Sequence, residues 1–172
     1  MTARPDLLST TRLALRVLVV LNILFGIGVA AFLAISLAAP EWSQRALGVS
    51  AEAPATLMIG MRLVMVIGIA GVPLGYVFLT RLLAVVESVR DGDPFIPENA
   101  RRLQVIAQTT LGVQLLNLAE GVVSSAFSTP ENQIDAGWSA SIDGWLAVLL
   151  LFVLARVFHH GTRMRADLEG TV

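Results

Sequence analysis

The sequence predicts an all-α integral membrane protein, a four-helix bundle with both termini on the cytoplasmic side. Four apolar stretches, Val17–Ala39, Leu57–Thr80, Leu103–Phe127 and Ile142–Phe158, are separated by short polar segments. Apolar residues make up 55% of the 172 and charged ones 15%, with a mean hydropathy of +0.74. A soluble domain of this size could not hide so much apolar surface. The basic residues, all arginine, favour alternate sides of the stretches. A hydrocarbon core about 30 Å thick takes ~20 helical residues, and in lipid every backbone polar group must be satisfied within the segment. The whole chain, 1–172, therefore reads as one membrane domain, with a cytoplasmic loop at 81–102 and a cytoplasmic tail at 159–172.

The first span follows Arg4, Arg12 and Arg16, and only Arg45 follows it. Ala38-Ala39-Pro40 gives it the outline of a signal peptide, but signal cores run ~7–15 apolar residues, so an uncleaved anchor is expected. Asn22 within it suits interhelical hydrogen bonding. The connection Pro40–Thr56 holds Trp42 and a short stretch, Glu41–Leu47, with the pattern of an interfacial amphipathic turn. Trp138 and Trp145 fall around the other outer connection, as an interfacial aromatic belt requires.

The second span contains Gly68, Gly71, Pro73 and Gly75. Gly71 and Gly75 form a small-xxx-small pair that admits a neighbouring backbone, and Pro73 removes one ladder hydrogen bond and kinks the helix. Packing is the leading role for these residues and a hinge the second. The apolar pattern continues through Leu82, Leu83, Val85, Val86 and Val89, so this helix should outrun the membrane. It ends at Asp91-Gly92-Asp93-Pro94, where Gly92 permits a left-handed terminus and Pro94 forbids continuation. Pro97 and Glu98 suit the first turn of the next helix. Phe95 lies between the two helices, packed on the membrane or on a partner. Arg81, Arg90, Arg101 and Arg102 place this loop on the cytoplasmic side.

The third span carries Thr110, Gln114, Asn117, Glu120 and Ser124 at spacings that share one helical face. Such a stripe should point into the bundle, and an intramembrane carboxylate marks a functional site by default. Arg62 and Glu120 lie at matching depth below the outer surface, so an ion pair between them is expected. A register-fixing pair is favoured over a ligand pocket or proton relay. The fourth span ends near Arg156, and Arg163 and Arg165 follow it. His159 and His160 are adjacent and cannot face each other as haem ligands, so they read as solvated residues at a helix end.

Cysteine is absent, which removes disulfides and thiolate chemistry. The net charge of −1 gives no general attraction to nucleic acid. No triad, metal-binding pair or phosphate-cradling glycine loop is present. Neither enzyme activity nor a cofactor is expected.

Asp91-Gly92-Asp93-Pro94-Phe95, followed by Glu98-Asn99-Ala100-Arg101-Arg102-Leu103, resembles the central signature of the bacterial membrane family called domain of unknown function 2975. The ending from Val157-Phe158 through Gly161 and then Leu168 to Val172 is similar to that family's C-terminal pattern. Ile96 stands where the family commonly places a small hydroxyl cap, and Gly170 is an extra glycine in the tail. The resemblance implies a bacterial inner-membrane protein with four spans. Family genes often adjoin a helix-turn-helix regulator, which implies a membrane partner for such a regulator, docked through Gly92, Pro94, Phe95, Arg101 and Arg102. The alternatives are a small transporter or channel subunit, which would require a homo-oligomer because four short spans seldom enclose a pore, and a structural subunit of a membrane complex.

Overall fold

The computed structural model describes residues 7–50, 52–90, 95–128, 134 and 142–169, with backbone alone for 7, 8 and 165–169. Its helices are α1 (Leu7–Ala38), α2 (Pro40–Ala46), α3 (Ala55–Arg90), α4 (Pro97–Phe127) and α5 (Ile142–Glu169), and no strand occurs among the described residues. Segments of α1, α3 and α5 are long and apolar enough to cross a membrane. Over the described residues the fold is all-helical, and these three helices mark the chain as a membrane protein. Gly92, Pro94 and Trp138 lie outside the described residues.

Helix α4 has the length of a span but not the same hydropathy. Its 31 residues rise about 46 Å, yet Gln104, Gln108, Gln114, Asn117 and Glu120 dilute its apolar content. Packing compensates. Helix α4 packs along both α3 and α5, and α1 packs along the other side of α3. No comparable packing joins α1 to α5, so the four long helices form an open series with α4 held between neighbours. Leu103, Ile106 and Ala155 are buried where α4 meets α5, with Phe78, Leu82, Leu151 and Phe158 packed around them. The outward apolar faces are bare, as in Phe25 at 62% exposure and Ile27 at 61%. Lipid tails are the natural cover for such surfaces.

The helix ends follow local chemistry. The connection after α1 turns immediately into α2, with Pro40 at its first turn and Glu41 near its positive end. Trp42 on α2 packs back on Phe32 of α1, ring centroids 6.2 Å apart. Gly48 then takes φ +70°, the left-handed conformation that glycine adopts without strain, and ends the turn. Helix α3 runs to Arg90, well past Thr80, as its continuing apolar pattern requires. Helix α4 starts at Pro97 with Glu98 in its first turn; its N-cap, Ile96, is extended and contributes no side-chain hydrogen bond. Beyond Phe158, α5 stays helical through Glu169.

Candidate functional site

Arg62 does not meet Glu120. Its Nε donates to Ser36 Oγ at 3.0 Å and its Nη2 to the Ser36 carbonyl oxygen. Two features of the sequence explain this. Ser36 is four residues before Pro40, which has no N–H to donate, so the Ser36 carbonyl lacks its helical partner. In addition, Gly60 abuts Phe127 of α4, and Arg62, two positions on, points about 200° round the helix from it. Depth alone matched Arg62 to Glu120, whereas its direction on the helix turns it to α1. Ser36 is fully buried, and Arg62 caps the end of α1.

The Pro73 region is a second junction between α1 and α3. Asn22 Nδ2 donates to the Val72 carbonyl at 3.0 Å, next to the point where Pro73 interrupts the ladder. Gly75 gives the Asn22 side chain its space, since a Cβ there would lie 2.6 Å from Asn22 Oδ1. Gly26 likewise admits Val72, at 2.9 Å from a Cβ position. Gly71 faces the opposite neighbour, Leu116 of α4, at an ordinary 3.8 Å. The pair Gly71 and Gly75 therefore serves two different interfaces.

On α4 the polar stripe is divided among its neighbours. Asn117 Nδ2 donates to Gln114 Oε1 at 3.1 Å, and Gln114 presses against the backbone of Gly144 on α5. Thr110 bonds back to its own helix at the Ile106 carbonyl, 2.8 Å away. Ser124 is buried. Glu120 is half-buried and makes no hydrogen bond or ion pair among the described residues. Arg62, Gln114, Asn117 and Glu120 do not form one cluster: Gln114 and Asn117 join, while Arg62 and Glu120 stand apart from them.

The loop side is more tightly built. Phe95 stacks on Phe158 of α5 with ring centroids 5.2 Å apart and planes 24° from parallel. Gly161, one turn on, leaves room for it, with a Cβ position 3.5 Å from Phe95 Cδ1. The segment before α4 and the distal part of α5 thus touch directly. Asn99, fully buried, donates to Ser88 Oγ at 2.6 Å and accepts from Arg102 Nη1 at 2.9 Å. Arg102 Nη1 also donates to the Ala84 carbonyl at 3.0 Å. Arg102 therefore ties the start of α4 to the end of α3, while its neighbour Arg101 is exposed. At the same end, Glu87 meets Arg12 at 2.9 Å and Arg16 at 3.8 Å.

Ser36 and Ser88 escaped the sequence reading, and Asn99 entered it only within the family signature, with no role. Pro40 four residues after Ser36 was a legible signal for the first; nothing in local pattern marked the other two. No group of three or more metal-capable side chains gathers among the described residues. No curated protein and no solved structure matches the chain. The match to a family is nonetheless nearly complete, running from the arginine-flanked start of α1 through the Phe95 loop to the end of the tail. Over residues 10–172 the chain belongs to the family described as protein of unknown function DUF2975.

Proposed function

We propose that the chain is a four-span inner-membrane regulatory protein, both termini cytoplasmic, that engages a cytoplasmic helix-turn-helix regulator. The supporting observation is the Phe95–Phe158 stack. It joins the two segments that carry the family pattern into one surface, and Phe95 remains 47% exposed there. A side chain that is half covered by its own chain and half open can register both the pose of α5 and the presence of a partner. The arginine distribution supports the orientation, with Arg12, Arg16, Arg81, Arg90, Arg101 and Arg102 at this end. Helix α3, about 54 Å long by its 36 residues, has roughly 24 Å more than a bilayer core needs. The four-span reading rests on α4 lying between two helices long and apolar enough to cross.

Affinity purification of the tagged protein from gently solubilised native membranes tests this, beside a Phe95→Ala variant and a chain truncated after Gly161. Recovery of a soluble DNA-binding protein with the intact chain and its loss from both altered chains is the expected result. Recovery of self-oligomers or membrane subunits alone would refute the regulator reading and favour a transport or structural role.

A further inference from the structure

The loop-side ends of α4 and α5 enclose a groove of about 500 Å³, lined by Pro97, Ala100, Arg101 and Gln104 on one side and Phe152, Ala155, Arg156 and His159 on the other. On α4 these positions are spaced by three, one and three, one continuous strip along the helix. On α5 they are spaced by three, one and three, and form a second strip facing it. The groove is uneven in character. Arg101, Arg156 and His159 line it and no carboxylate does. Neither guanidinium has a hydrogen bond or ion pair among the described residues. Pro97 and Ala100 lie at the start of α4, the positive end of its dipole, where Glu98 also sits. Two like charges facing one groove beside a low-dielectric medium repel unless an anion lies between them.

We propose that this groove binds the phosphate headgroup of an anionic phospholipid. Arginine presents a planar fork that matches phosphate oxygens in pairs. Basic pockets between helices at the level of the headgroups are the sites where such lipids are held. The apolar surroundings select a lipid over a free phosphate ion. Phe152 lies one helical turn deeper than Arg156, and beyond the groove Leu115 at 53% exposure and Leu149 at 58% offer an apolar wall for acyl chains. Gln104 can donate to the ester or glycerol oxygens. The partner of this site is thus the leaflet facing the loop, and the inference does not depend on any protein partner.

The full-length protein in a mild non-ionic detergent, titrated with dioleoyl phosphatidylglycerol and followed by native mass spectrometry, tests this. Dioleoyl phosphatidylcholine and inorganic phosphate form the comparison arms. Each arginine near an anionic leaflet contributes about a fivefold gain in binding, so R101Q/R156Q should weaken the phosphatidylglycerol complex roughly 30-fold. Gln104→Glu, an exposed change that leaves packing intact, should weaken it as well by adding a negative charge. Arg45→Gln, on α2, should have no effect. Equal affinity in the double variant and in Gln104→Glu would overturn the proposal. So would equal binding of phosphatidylcholine, or displacement of the lipid by inorganic phosphate, which would assign the groove to the free ion.

Discussion

Truncating Phe95 or Phe158 should loosen the segment before α4 from α5 without unfolding the helices. Phe95 is 47% exposed, so roughly half of a ~200 Å² side chain is covered, worth about 2.5 kcal/mol at ~25 cal/mol per Å² as an upper bound. The stacked geometry, 5.2 Å between centroids, adds about 1 kcal/mol beyond area. A loss near 3 kcal/mol corresponds to a rise of about two decades in the local opening constant. Amide hydrogen exchange at residues 95–100, in detergent or nanodiscs, measures that opening directly. Phe95→Ala and Phe158→Ala should each accelerate exchange in this segment, and the double variant should be faster than either by less than the product of the two effects. Gly161→Ala should be silent, because its Cβ would meet Phe95 Cδ1 at 3.5 Å, whereas Gly161→Leu should open the loop as the phenylalanine variants do. Strictly multiplicative effects of the two truncations would refute the claim that these rings act on each other.

Other expectations follow from single contacts. Gly60→Ala would place a Cβ 2.8 Å from Phe127 Cγ and 2.9 Å from Ile134 Cδ1; overpacking of that kind costs about 1–3 kcal/mol and should lower the thermal midpoint in detergent. Arg62→Met strands the buried Ser36 carbonyl, a loss of about 1–3 kcal/mol, while Ser36→Ala keeps the carbonyl bond and should cost less by the same melt. Arg102→Met removes donors to both Asn99 and Ala84, and faster amide exchange at the first turn of α4 should report it. Glu120→Gln should leave assembly and melting unchanged, because no partner among the described residues depends on the charge; a marked loss of stability would contradict that placement.

Legibility differed sharply between periodicity and direction. Apolar length located all four long helices, and the Gly92–Pro97 punctuation placed the break between α3 and α4, because these signals are local. The reach of α5 to Glu169 was hidden because the apolar run ends near Phe158 and the helix continues through charged residues, with Gly161 as the site where Phe95 rests on it. The partner of Arg62 was missed because depth along a helix gives one coordinate and rotation about it gives the other. Gly60 fixed that rotation only once Phe127 was seen against it. Gln114 was placed on the interior face by spacing, but its contact with Gly144 needed the pairing of α4 with α5. Arg101 and Arg102 look alike in the sequence, and a turn of about 100° sends one to the groove and the other into the α3–α4 clamp.

The two sides of α3 are held by different mixtures of contacts. In lipid there is no hydrophobic drive between helices, so close backbone contact and polar links set their association. Towards α4, α3 uses close contacts: Gly60 with Phe127, Leu74 with Gly112 and Gly71 with Leu116. Towards α1 it adds polar links spread along the helix, Glu87 with Arg12, the Val72 carbonyl with Asn22 and Arg62 with Ser36, to the close contact of Val72 with Gly26. Side-chain hydrogen bonds between membrane helices average about 0.6 kcal/mol, and the half-exposed Glu87 pair is weakened by water and salt. Between these links lies an apolar groove of about 330 Å³ formed by Ile23, Gly26, Ile27, Ala30, Ile69, Val72 and Pro73. Helix α1 is thus joined to α3 through links of modest strength, and the middle one is made at the carbonyl beside Pro73. In the proposed regulator, input at that link and output at Phe95 are connected by α3 itself, whose far end is clamped to α4 through Ser88, Asn99 and Arg102.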